Sequence, residues 1–455
     1  MKRFVDFICG TGFLFFALLL SLFGFSACSF DSGASSNSVS GEGHGGGSGN
    51  SWTLVVYMAA DNALEPDAIA DLNEMESAVL PSGMDVLVLL DRAEGYDASN
   101  DDWSGTRLFK VRHDSGDSNR IVSERLSSVE LGLSADVDTE LDMSSKSTLS
   151  ALLSFARRSC PAENYGLVVW GHGTGWRSGD AAFSRAFAVD EGGGSSSYMT
   201  LSDMRQAVAK GLDGDTLSFL GFDTCFGACL ESAYEFRSVS SFMVGSPSVE
   251  AQSGWDYCSL FNSLSSVESI TPESFCGCAM SQFKSQYKNS VNAAFCVLDL
   301  SLCQDAVSAF DTFSSNAALL IDSYSARDSL LSVFEKECVS YSSGVPSDFY
   351  VDSLDVVRNI AKKCGELYFY ADIVEESFSS FVVDSWNSTY GTCSPGVFFA
   401  SEKSPGVFST HPDLYVSGNQ NPLTSQFVNF ATGYVPTKIC AGSLLDKLFY
   451  TVFDK

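Results

Sequence analysis

Gly166-Leu-Val-Val-Trp170 runs without a polar residue into Gly171-His172-Gly173, and the fold turns on how that junction is read. A short apolar run of this kind predicts a strand buried on both faces, as in a parallel sheet covered by helices. Comparable runs lie on either side of it: Trp52-Thr-Leu-Val-Val-Tyr-Met58, Asp85-Val-Leu-Val-Leu-Leu90, Leu217-Ser-Phe-Leu-Gly-Phe222 and Phe242-Met-Val-Gly245. Arg107-Leu-Phe-Lys-Val111 alternates and predicts an edge strand. Between the runs, Ile69, Leu72 and Val79 recur at near-helical spacing. Leu149, Leu152, Leu153 and Ala156 make an apolar stripe over 147–158. Thr200-x-x-Asp203 opens a helix that Gly211 is placed to end, and another helix is expected over 228–236. Repeated strand–helix–strand units of this length define an α/β fold class with a mostly parallel sheet flanked by helices.

The strand ends carry the chemistry. The chain has four histidines, and His44, His113 and His411 fall in polar, loop-like surroundings. His172 alone ends a buried strand, at the edge where α/β sheets gather ligands. Its flanking glycines would let a substrate backbone approach and would let the Gly173 N–H meet a developing charge. The alternative is a histidine that only hydrogen-bonds a turn. Cys225 ends the next predicted strand in the same way, just before the helix expected from 228. A thiol at a helix N-terminus and beside an imidazole is activated as a nucleophile. A buried cysteine is otherwise a small core residue, the role that suits Cys229.

The sequence has 455 residues, 45% of them hydrophobic, enough for one large or two moderate cores. Against 27 Lys+Arg stand 56 Asp+Glu, a formal charge of -29, which argues against nucleic acid as a partner; it would attract cationic substrates and divalent ions, although keeping an extracellular protein soluble is the simpler reading. Lys2 and Arg3 followed by the apolar run 7–25 and Phe25-Ser26-Ala27-Cys28 read as an export signal; the end resembles a bacterial lipobox with Cys28 as the lipidated residue. An uncleaved anchor and plain secretion are the alternatives. Residues 29–50, mostly Ser and Gly, read as a flexible tether. The expected location is the cell envelope, lipid-anchored on the far side of the membrane. Of 14 cysteines, Cys276-x-Cys278 and Cys296-x6-Cys303 lack metal-site spacing, so no metal centre is read there.

Several stretches together resemble the clostripain family of cysteine peptidases, relatives of the caspase-like fold. They are Tyr57-Met-Ala-Ala-Asp-Asn62 with Leu64-Glu65; Asp91-Arg92 with the acidic loop 95–103; and Trp170-Gly-His-Gly-Thr-Gly-Trp176. The series continues with Asp190-Glu191 before Met199-Thr-Leu-Ser-Asp203, Phe222-Asp-Thr-Cys225 with Glu231-x-x-Tyr234-Glu235, and Gly245-Ser-Pro-Ser-Val-Glu250 with Gly254-Trp255. The resemblance implies that His172 is the catalytic base and Cys225 the nucleophile. Gly173 and Cys225 would supply oxyanion N–H groups, and Asp223 and Glu250 would line the substrate site. Asp223 matches the acidic position tied to Arg or Lys before the cut bond, which agrees with the carboxylate–guanidinium pairing physics favours. No cofactor is required on this resemblance. Some relatives use calcium, for which Asp97, Asp101 and Asp102 offer oxygen ligands, although a solvated acidic loop is the simpler reading. Some process themselves between the two motifs, where Arg177, Arg185, Arg205 and Lys210 lie.

The expected organisation is a signal with lipobox at 1–28, a tether at 29–50, a caspase-like catalytic domain at 51–260, and a mixed α/β C-terminal extension at 261–455. In the extension, Thr271-Pro272-Glu273 opens a helix, 292–299 and 397–400 read as strands, and 303–320, 323–340 and 354–382 as helices. The expected partners are polypeptide substrates, with the oligomeric state left open. The rival functions are a surface lipoprotein that only binds in the same cleft, and a peptidase preferring acidic or small residues.

Overall fold

The structure, a computed structural model, describes residues 50–116, 119–175, 187–191, 197–320, 329–330, 332–333, 336–341 and 350–398. The signal-like segment with Cys28, the tether up to residue 49, His411, Arg177 and Arg185 lie outside the described residues. Among the described residues no helix is long and apolar enough to cross a membrane.

The strands follow the apolar runs closely. β1 (Asn50–Ala60), β2 (Met84–Arg92), β5 (Ala162–Trp170), β8 (Phe219–Asp223) and β9 (Phe242–Gly245) form a parallel centre in the order β9-β8-β5-β1-β2. Antiparallel strands extend both sides. β3 (Gly105–Lys110) and β4 (Glu124–Leu126) follow β2, and β10 (Ala294–Asp299) and β12 (Val382–Asn387) follow β9, making nine strands in all. The run around Arg107 is therefore not an edge: β4, short and polar, covers it. Small antiparallel pairs complete the strands, β6 (Phe187–Asp190) with β7 (Ser197–Met199) and β11 (Tyr350–Asp352) with β13 (Gly396–Phe398).

Helices cover both faces, and their ends follow the expected chemistry. α2 (Lys146–Ser159) buries Leu149, Leu152, Leu153 and Ala156 against one face of the sheet, together with α3 (Leu201–Gly211). The Thr200 side chain caps α3 by accepting the Asp203 N–H at 3.1 Å. On the other face lie α1 (Glu65–Ser77), α5 (Tyr257–Ser265) and α6 (Pro272–Tyr287), the last opened by a reciprocal Thr271–Ser274 capping box. Val79 falls beyond α1 and is exposed. α4 (Leu230–Phe236) and α7 (Cys303–Leu319) pack on the α2 side. The helix expected over 354–382 is two helices, Ser353–Lys363 and Tyr368–Phe381, separated at Cys364 and a short turn at Gly365–Leu367. β10 and β12 carry the sheet on beyond residue 260, so the C-terminal region shares the main sheet and its cores.

Candidate active site

β5 and β8 are parallel neighbours with Trp170 opposite Asp223. His172 and Cys225 thus leave the sheet side by side, each two residues past that pair. Both line a cleft of about 260 Å³ with Leu64, Asp223, Thr224, Glu250, Gln252 and Gly254. The glycines serve the chain itself at this point. A Cβ on Gly173 would lie 2.5 Å from the Cys225 carbonyl oxygen and 2.7 Å from Thr224 Oγ1, so the two loops touch through it. Gly171, at φ +130°, places its missing Cβ 3.0 Å from the Ala59 carbonyl oxygen. The closeness expected of a substrate backbone is taken up, at these atoms, by the protein's own backbone.

Cys225 Sγ accepts the Glu250 N–H at 3.2 Å. Burial pushes the thiol up to about 11, and the nearby carboxyls of Glu250 and Asp223 push the same way against that N–H. The expected helix-terminus activation is not there. α4 starts at Leu230 with Cys229 as its N-cap, four residues after Cys225. The intervening turn passes through Phe226 at φ 57° and is sewn to the 245–250 loop by Phe226 N–H to Ser248 O and Ala228 N–H to Ser246 O, both 3.0 Å. Cys229 is buried against Ser232, in keeping with its expected core role.

Behind the cleft sit three carboxyl groups with no ion-paired Lys or Arg among the described residues. Asp223 Oδ2 accepts the Tyr257 hydroxyl at 2.8 Å and the Trp255 N–H at 3.3 Å, while Oδ1 faces Gly254. Burial raises Asp223 to about 7. Both Glu250 carboxylate oxygens are shielded from water; burial and then the Asp223 charge raise this acid well above the usual range, while the neighbouring Trp255 indole N–H and Thr224 backbone pull the other way. Asp71, raised by burial and then by Asp223, accepts the Trp170 indole N–H at 2.7 Å. Sequence reasoning missed Asp71, Trp255 and Tyr257. A carboxylate between the buried Ile69 and Leu72 of α1 was the available signal for Asp71. Trp255 stood in the matching stretch Gly254-Trp255 with no role read for it, and for Tyr257 there was no signal.

Other candidates have structural roles. His113 Nδ1 hydrogen-bonds the carbonyls of Glu76 at 3.1 Å and Ala78 at 2.8 Å, which fixes the segment after β3 against the C-terminal end of α1; it does not line the cleft. In the acidic loop, Arg92 pairs with buried Glu65, donates to Asp97 O at 2.7 Å and packs 4.8 Å from the Trp103 ring. Asp97 caps Ser99 N–H, and Asp101 and Asp102 do not converge with it on an ion. Arg205 and Lys210 lie inside α3, with Arg205 bound to Glu235 at 2.8 Å. Among the described residues no disulfide joins the eleven cysteines, and the sulfurs of Cys296 and Cys393 lie 3.6 Å apart.

The clostripain family model matches residues 56–417. Among solved structures, the chain is similar to an inactive zymogen C11 protease from Parabacteroides distasonis, at 19% identity and TM-score 0.57, covering 78% of this chain and 93% of that one. It is similar also to a secreted C11 cysteine protease from Bacteroides thetaiotaomicron in complex with an irreversible peptide inhibitor, at 19% identity and TM-score 0.55, covering 78% and 90%. A third likeness, at 14% identity and TM-score 0.55, covers 78% of this chain and 92% of a secreted C11 cysteine protease of Bacteroides thetaiotaomicron named iotapain. No curated protein sequence matches the chain. At these identities the solved structures speak for the caspase-like fold, while the family model spans well over half of the chain. The chain belongs to the clostripain family and is a cysteine-type peptidase.

Proposed function

We propose that the chain is an endopeptidase that cuts after Arg or Lys through a dyad of Cys225 and His172. The observation that carries this is the single cleft lined by both strand-end residues together with Asp223 and Glu250. A buried group of acids with no cation of its own is costly unless protonated or paired. A guanidinium or ammonium from the substrate satisfies it. Asp223, one oxygen of which is held by Tyr257 and Trp255, and Glu250, buried beside it, are the docking groups.

In the reaction, His172 takes the Cys225 proton and the sulfur attacks the scissile carbonyl. The Gly173 and Cys225 N–H groups hold the resulting oxyanion. Collapse breaks the C–N bond, and His172 returns the proton to the leaving amine. Water, deprotonated by His172, then splits the thioester and regenerates the thiol. Burial raises the Cys225 thiol, which is consistent with proton removal by His172 during the reaction.

A fluorogenic peptide panel under reducing conditions tests this. The expected result is hydrolysis after Arg and Lys, lowered by at least about 10³-fold in Cys225→Ala and His172→Ala with unchanged melting temperature. Cleavage that survives Cys225→Ala refutes the dyad. Cleavage confined to acidic or small residues refutes the specificity. We read Cys28 as the lipidated N-terminal residue of the exported enzyme; Cys28→Ser should block signal removal, and normal processing in that variant overturns the reading.

A further inference from the structure

Away from the cleft, two cysteines meet on the side of the sheet that the C-terminal region adds. Cys296 lies on β10, opposite Gly245 of β9 on one side and Ser385 of β12 on the other, and it is fully buried. Cys393 follows β12, and its sulfur lies 3.6 Å from that of Cys296. A disulfide needs the two sulfurs at about 2.0 Å, and rotation of a cysteine side chain covers the difference. Cys393 is held where it stands. Its thiol lies 3.2 Å from the Trp386 carbonyl oxygen and 3.5 Å from that of Phe295, and its N–H donates to Ser385 Oγ at 3.4 Å.

The two thiols differ in access. Cys393 is half-buried and lines a cavity of about 540 Å³ with Asp352, Arg358, Glu375 and Tyr390. Burial and then the hydrogen bond to Cys393 push the Cys296 thiol well above the ordinary cysteine range. An oxidant therefore meets Cys393 first. The segment that Cys393 heads is tied to the surroundings of the cleft. Ser394 N–H donates to Asp352 Oδ2 at 2.7 Å, and the Tyr341 hydroxyl lies 2.7 Å from that oxygen and 2.8 Å from Ser394 O. Gly396 N–H donates at 3.0 Å to the carbonyl of Ala228, three residues past Cys225. β13, which starts at Gly396, pairs with β11 and so with the strand that carries Tyr350.

We propose that Cys296 and Cys393, 97 residues apart in sequence, form a disulfide that fastens the segment before β13 to the main sheet. The Cys393 thiolate attacks a disulfide oxidant such as glutathione disulfide and releases one glutathione thiolate. Cys296 then loses its proton, and its sulfur attacks Cys393 Sγ, forming the S–S bond and expelling the second glutathione thiolate. The protein gives up two electrons and two protons, and one oxidant molecule becomes two thiols. Closing so long a loop restricts the unfolded chain and favours the folded one. The export reading above supplies oxidising surroundings; the cross-link itself rests on the geometry and is tested apart from that reading and from the substrate preference.

The test uses the full chain as Cys225→Ala, equilibrated with reduced and oxidised glutathione. Remaining thiols are alkylated, and the digest is mapped by mass spectrometry. A linked pair of peptides containing Cys296 and Cys393 is expected, with a melting temperature at least about 4 °C above that of the same protein in dithiothreitol. Both the linked pair and that difference should be lost in Cys393→Ser and in Cys296→Ala. If Cys296→Ala does not fold, Cys393→Ser on the cavity side carries the test. A folded, oxidised chain that lacks the Cys296–Cys393 peptide, or joins either cysteine to a different one, overturns the proposal. So does a linked chain that melts no higher than the reduced one.

Discussion

The Tyr350 hydroxyl donates a 2.9 Å hydrogen bond to the carbonyl of Thr174, two residues beyond His172. The same ring stacks on Phe226, the residue after Cys225, at a centroid distance of 4.8 Å. One side chain from the C-terminal region thus braces both strand-end loops, and Gly175 leaves it room: a Cβ there would meet the hydroxyl at 2.2 Å.

On the proposed dyad, Tyr350 acts as a positioning residue. Tyr350→Phe should cost about 1 kcal/mol of stability and lower kcat several-fold with KM nearly unchanged. Tyr350→Ala should cost about 3–5 kcal/mol through the cavity it leaves. Steady-state kinetics beside thermal unfolding separate the two effects; KM rising with kcat intact would place Tyr350 in substrate binding instead.

Gly173→Ala puts a methyl group where the Cys225 carbonyl and Thr224 hydroxyl already sit. Backbone must move, and on the proposed dyad a shift of about 1 Å between His172 and Cys225 costs on the order of 10²-fold in rate. We expect such a loss with a stability change of only about 1–3 kcal/mol. Activity within a few-fold of wild type would show that the loops can part without consequence.

Because burial raises Asp223 to about 7, its carboxylate form grows from roughly a tenth to roughly nine-tenths between about pH 6 and 8. A small guanidinium such as agmatine should then bind Cys225→Ala more tightly as pH rises across that window. The dependence should flatten in Asp223→Asn. Linkage runs the other way for the empty protein. An acid with a raised folded value binds more protons folded than unfolded, so its contribution to stability is full below about pH 4 and is lost as pH rises through about 7. Binding that weakens with rising pH would exclude Asp223 from the cation pocket.

Much of the sheet was legible because each central strand is a continuous apolar run of its own. β1, β2, β5, β8 and β9 all fall where those runs lie. α2 and α3 were legible from a stripe and a cap. β4 was not, since Glu124-Arg-Leu126 has no pattern and is a strand only because β3 offers it hydrogen bonds. The helix start after Cys225 was misplaced because the turn through Phe226 is held by partners at Ser246 and Ser248.

That His172 and Cys225 follow the ends of two buried strands was within reach of the sequence, because an apolar run ending in such residues is a local signal. What those residues face was decided by tertiary structure alone. Asp223 is held by Tyr257 and Trp255 beside Glu250, Tyr350 bridges two loops, and Asp61, Asp91, Glu140 and Asp190 converge. Each of these depends on segments far apart in the chain meeting in space. Periodicity records which face of an element is buried, and carries no information about which distant element buries it.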